Sequence, residues 1–84
     1  MLSDRDSRPS WALKKIEGRY ANHFKIGHNA YEFVLDFGQY YSETGKARLC
    51  ARIITNPCYV KSLFNTLRES IERYEENFGP IQEE

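Results

Sequence analysis

Two incompatible periodicities meet at Asn56-Pro57, and that junction constrains the fold more than any other feature of the chain. Before it, apolar residues recur every second position. After it, they recur at the spacing of a helix. Upstream, Tyr20, Phe24 and Ile26 point one way and Ala21, His23 and Lys25 the other, which predicts a first strand from Arg19. Tyr31, Phe33, Leu35 and Phe37 then alternate with Glu32, Val34, Asp36 and Gly38, and Leu49, Ala51 and Ile53 alternate with Arg48, Cys50, Arg52 and Ile54. "GHNA" at 27–30 offers Gly27 and Asn29, residues that tolerate positive φ, for one reversal, and "SETGK" at 42–46 offers Gly45 for the next. Reversals this short join neighbouring antiparallel strands, so the first part of the chain is expected to be a three-stranded meander.

Downstream, Asn56 is placed to cap a helix and Pro57 to occupy its first turn, where a missing N–H has no consequence. Val60, Phe64, Leu67, Ile71, Tyr74 and Phe78 follow at intervals of 4, 3, 4, 3 and 4, with Leu63 widening the stripe, before Gly79 and Pro80 stop the helix. A helix over 57–78 and strands of about ten residues both span roughly 33 Å. The expected fold is therefore α+β: a three-stranded antiparallel β-meander followed by one long C-terminal helix packed on the sheet, a βββα order. On that expectation Phe64 and Leu67 lie in the core.

The chain has 84 residues, few enough that its own core is marginal. Small domains compensate with disulfides, a metal or oligomerisation. Only Cys50 and Cys58 are present, and His23 and His28 lack the short paired spacings of zinc motifs, so neither a disulfide nor a metal site is expected. Long strand edges and a second sheet face bearing Ala21, Val34, Cys50 and Ile54 favour oligomerisation, and a homodimer or higher homo-oligomer is expected to complete the fold. Charge is divided between the two parts: residues 1–55 hold nine Lys/Arg against six Asp/Glu, whereas residues 56–84 hold three against six. No apolar run approaches a membrane span and "MLSDRDSRPS" has no signal-peptide core, which predicts a cytoplasmic protein without membrane contact. The expected organisation is a flexible arm over 1–16 with a short helical turn begun at Ser10, one βββα domain over 17–81, and a disordered tail over 82–84.

No catalytic, cofactor-binding or metal residues are assigned. Glu32, Asp36 and Glu43 have no His, Ser or Cys constellation at a spacing that would make a nucleophile and base, and no Gly-rich phosphate loop occurs. Four polar residues stand out as interaction or structural groups instead. Asn22 shares its strand face with Tyr20, Phe24 and Ile26, and Asp36 is placed to pair with Arg48 or Arg52 across the second hairpin. These features favour a non-enzymatic, oligomeric protein-interaction module with a further protein partner. The alternative is a small nucleic-acid-binding protein using Trp11, Lys14, Lys15, Arg19 and Lys25, a reading weakened by zero net charge.

"EGRYANHFKIGHNAYEFVLDFGQ", "ARIITNPCYVKSL" and "RESIERYEENFGPI" together resemble a small prokaryotic family defined as a domain of unknown function. Its members share a Tyr-Ala-Asn start, a Glu-Phe-x-Leu-Asp-Phe-Gly-Gln strand and a terminal Tyr-Glu-x-x-Phe-Gly, and the resemblance covers roughly 17–81. Family members often carry Ser-Pro at the helix start. This chain has Asn56-Pro57, which keeps the capping chemistry. The resemblance implies no catalytic residues.

Overall fold

The computed structural model describes residues 9–13 and 16–83. A single 3₁₀ turn at Ser10–Leu13 is followed by strands β1 (His23–His28), β2 (Phe33–Tyr41) and β3 (Lys46–Thr55) and by helix α1 (Pro57–Phe78). The sheet order is β1-β2-β3 with both pairings antiparallel, so the βββα meander is as the alternation predicts.

Local chemistry fixes most of the boundaries. The Asn56 side chain accepts a hydrogen bond from the Tyr59 backbone N–H at 2.9 Å, with Pro57 in the first turn. Gly79 ends the helix at φ 90°, a conformation unfavourable to other residues, and its N–H donates to the Glu75 carbonyl. Gly45 takes φ 67° in the β2–β3 turn. The β1–β2 reversal differs from expectation, because neither Gly27 nor Asn29 adopts positive φ. Instead the Asn29 carboxamide oxygen accepts the N–H groups of Tyr31 and Glu32 at 2.7 and 2.9 Å, an Asx-type turn that closes the loop with a side chain.

Register defines two faces. Ile26, Leu35 and Ile53 are mutual neighbours across the strands, as are Phe24, Phe37 and Ala51, and together they make an inner face. Lys25, Asp36 and Arg52 lie in one row on the outer face. A β-bulge then shifts the phase: Phe37 pairs with Ala51 but Gly38 pairs with Leu49, leaving Cys50 as the extra residue of β3. Leu49 consequently falls on the outer side with Asp36, not on the inner face with Ala51 and Ile53 as strict alternation predicts. Gly38 is what permits this. A Cβ built there would lie 2.4 Å from the Arg48 carbonyl oxygen.

Leu63 and Leu67 of α1 approach the inner face, where an apolar cleft of about 260 Å³ is lined by these two side chains with Phe24, Ile26, Leu35 and Phe37. The helix nevertheless does not close over the sheet. Phe64 is 60% exposed and no residue of α1 is fully buried, so the expected burial of the helix stripe is not achieved within one chain. Leu35 is the only buried hydrophobic residue among the described residues. The radius of gyration, 15.6 Å, exceeds the ~12 Å expected of a compact chain of this length. The physical reason is one of supply: a three-stranded sheet and one helix form only two layers, and the bulge removes Leu49 from the side that faces α1. No helix among the described residues is long and apolar enough to cross a membrane.

Gly38→Ala is expected to destabilise the fold by about 1–3 kcal/mol in urea denaturation, because the new methyl group meets backbone that cannot move aside. Gly27→Ala is the control. Its added methyl group has nothing within 4 Å, and its cost should stay within ~0.5 kcal/mol.

Candidate functional site

The polar residues singled out by the sequence form two separate constructions on the sheet. The first fastens the segment before β1 to the bulge. Arg19 donates from Nη1 to the carbonyl of Cys50, the extra residue of the bulge, at 3.3 Å. Gln39 donates from Nε2 to the Tyr20 carbonyl at 3.0 Å, and the Tyr41 hydroxyl donates to Gln39 Oε1. Asn22 completes the arrangement. Its backbone N–H donates to the Gly38 carbonyl at 2.9 Å, while its Oδ1 accepts the Tyr40 N–H at 2.7 Å and its Nδ2 donates to the Tyr40 carbonyl at 3.3 Å. A carboxamide that both accepts from and donates to one residue's backbone imitates a strand neighbour, so Asn22 extends the β1–β2 ladder by one step beyond His23.

The Tyr20-Ala21-Asn22 and Phe37-Gly38-Gln39 motifs are thereby the two halves of one joint. Asn22 is exposed, with its amide fully engaged within the chain. Gln39 was not among the residues the sequence marked. Its one available signal was the lone Gly38 beside it, since a glycine inside a strand pattern often marks a bulge or a close backbone approach.

The second construction is the outer charged row. Arg52 grips Asp36 with two parallel hydrogen bonds, Nε to Oδ1 at 2.7 Å and Nη2 to Oδ2 at 2.9 Å. The Asp36 side chain is 7% exposed and that of Arg52 62%, so the carboxylate is covered while the guanidinium faces outward. Those hydrogen bonds hold the Asp36 carboxyl below its ordinary pKa against the opposing effect of burial, and the charges of Arg52 and Lys25 act in the same direction as the bonds. Arg48, the other expected partner of Asp36, lies across the bulge opposite Gln39 and makes no such pair. A bidentate ion pair has no acid or base free for proton transfer. What it can do is fix the register of β2 against β3, with Lys25 as the further cation of the same row.

Three residues of the alternative nucleic-acid patch lie within the described residues. Trp11 is exposed in the 3₁₀ turn, Arg19 is at the bulge, and Lys25 stands beside Asp36. Lys14 and Lys15 lie outside the described residues. Among the described residues, no three His, Cys, Asp or Glu side chains are grouped as a metal site would require. Among the described residues the stripe of α1 is half-open, and Phe24, Ile26 and Ile53 of the inner sheet face are exposed as well.

A family model described as "Protein of unknown function (DUF3467)" matches residues 3–83, in agreement with the expected membership of a family of unknown function. No curated protein and no solved structure matches the chain.

Two outcomes are expected from the polar constructions. Asp36 has a lowered folded-state pKa, so its stabilisation is complete above the unfolded value near ~3.9 and is lost as pH falls through the folded value. Arg52→Gln should raise the Asp36 pKa followed by carboxyl NMR, and the stability gap between variant and parent should narrow as the pH is taken down through that range. Asn22→Ala leaves the Tyr40 N–H and carbonyl to water and should cost about 0.5–1.5 kcal/mol in chemical denaturation, with the mass of the particle in solution unchanged.

Proposed function

We propose that this chain, which belongs to the DUF3467 family, is a non-enzymatic protein-interaction module that works as a homo-oligomer. The observation that carries this reading is the mismatch between apolar surface made and apolar surface buried. Trp11, Tyr31 and Phe78 are each more than 70% exposed, while Leu35 alone among the hydrophobic residues described is buried. Scattered apolar residues on a surface are ordinary, but those of α1 and the inner sheet face are contiguous, and such patches mark places where another surface binds. The polar groups support the same conclusion. Asn22, Gln39, Arg19 and Asp36 are each committed to holding strands together, which leaves them to shape a scaffold instead of a reaction site.

Sedimentation equilibrium of the full chain is expected to report a dimer or a higher assembly at micromolar concentration. A monomer of 9.9 kDa persisting at high micromolar concentration would overturn the proposal. The same preparation, titrated into a fluorescently labelled single-stranded oligonucleotide at physiological salt, is expected to leave its anisotropy unchanged. Tight, salt-sensitive binding would instead favour the nucleic-acid alternative.

A further inference from the structure

Helix α1 carries more unpartnered apolar surface than any other element, and the order of residues along it is nearly palindromic. Leu67 and Ile71 lie two residues either side of Glu69, Phe64 and Tyr74 five, and Val60 and Phe78 nine. A stripe with that symmetry meets itself, apolar residue to apolar residue, when a second copy is laid alongside in the opposite direction. Leu63 and Leu67 line the cleft toward the sheet. The other flank is a shallow open groove lined by Phe64, Leu67, Arg68, Ile71, Glu72 and Glu75. We infer that this groove receives the α1 helix of a second copy of the chain, antiparallel to the first about a two-fold axis near Glu69. The inference rests on the homo-oligomer reading and supplies its interface.

Charge selects the direction. The first half of α1 carries Lys61 and no acid, while the second half carries Glu69, Glu72, Glu75 and Glu76 against Arg68 and Arg73. Antiparallel pairing sets Lys61 near the Glu75 of the second copy twice over. Parallel pairing would stack the acidic half on its own duplicate. One Glu75 oxygen accepts the Ile81 N–H at 2.9 Å, which holds the carboxylate at the helix end where that contact is made.

Area points to the same occupant. Phe64, Leu67, Ile71, Tyr74 and Phe78 are 39–74% exposed, and Phe24, Ile26 and Ile53 of the inner sheet face 51–63%. Half-open side chains of this size each expose on the order of 100 Å², so the helix residues alone fall short of the ~800 Å² per partner of a stable interface and the two groups together reach it. A second helix lying beside the first over the inner face would cover both. The β3 edge is a weaker competitor, because that strand carries a bulge, Lys46, Arg48 and Arg52, features that discourage strand addition.

The test uses directed disulfides in the full chain, in a Cys50→Ser, Cys58→Ser background shown by sedimentation to keep the parent mass. An equimolar mixture of the Lys61→Cys and Glu75→Cys variants is expected to form a covalent heterodimer on mild oxidation, and Lys61→Cys alone is expected to remain uncrosslinked. Arg68→Cys, next to the two-fold axis, should crosslink with itself, which keeps the test decisive if circular dichroism shows that Glu75→Cys has not folded. Self-crosslinking of Lys61→Cys would mean parallel helices. If the particle is oligomeric but none of these variants crosslinks, the antiparallel helix interface is wrong while the homo-oligomer reading stands. A monomeric particle would end both.

Discussion

Among the described residues β2 is the only strand hydrogen-bonded on both sides, and its Leu35 and Asp36 are buried on opposite faces of the sheet. Everything else is arranged around that back-to-back pair. On the inner side Leu35 sits between Ile26 and Ile53, the nucleus of whatever apolar layer the molecule builds. On the outer side Asp36 sits between Lys25 and Arg52, and the two-pronged Arg52 contact fixes β3 against β2 to a single register. A slip of one residue would carry Asp36 to the apolar side and Leu35 to the charged side, so the pair penalises every odd register. In a sheet with so little packed side-chain volume, this alternation and its ion pair carry the specification that a larger core would otherwise supply.

The bulge at Cys50 is the second fixed point. It lets β3 change phase, and the carbonyl of its extra residue accepts a hydrogen bond from Arg19. Gln39 and Asn22 then fasten the incoming chain to the neighbouring stretch of β2, so a segment with no strand partner of its own is still tied down at Tyr20 and Asn22. Side chains take the place of ladder hydrogen bonds at the point where the ladder ends, and the cost of leaving those backbone groups unpaired is avoided without a longer strand.

Much of this was legible in the sequence. Period-two alternation located β2 and β3 because each has one aromatic or aliphatic face, whereas β1 begins at His23 instead of Arg19 and runs on through Gly27 and His28. The cap at Asn56-Pro57 and the stop at Gly79 bounded α1 because helix termini have few chemical solutions. The position of Leu49 was not legible. Alternation assumes an unbroken ladder, and the one sign of interruption, Gly38, belongs to the partner strand and acts through a backbone approach that composition does not record. The choice between Arg48 and Arg52 as partner of Asp36 depended on the same hidden phase shift. The openness of α1 was beyond sequence reading for a different reason. An apolar stripe reports that a helix needs a partner, but the same residues serve a sheet of its own chain or a helix of another.

That ambiguity has a physical resolution in the two flanks of the stripe. Leu63 and Leu67 turn toward Leu35 and Phe37, so the sheet engages one flank, and a helix engaged along one flank still presents the other. The seven-residue apolar stripe of α1 is only partly covered by the three-stranded sheet, from whose inner face the bulge has withdrawn Leu49. In the single chain that second flank stays open. Association that covers it would be linked to folding by mass action, since the isolated chain leaves its apolar layer incomplete and the assembled one does not. In such an assembly the interface and the core would be one continuous surface, and the contacts that hold Asp36, Gly38 and Asn22 in place would act on it through the shape of the sheet on which that surface is laid.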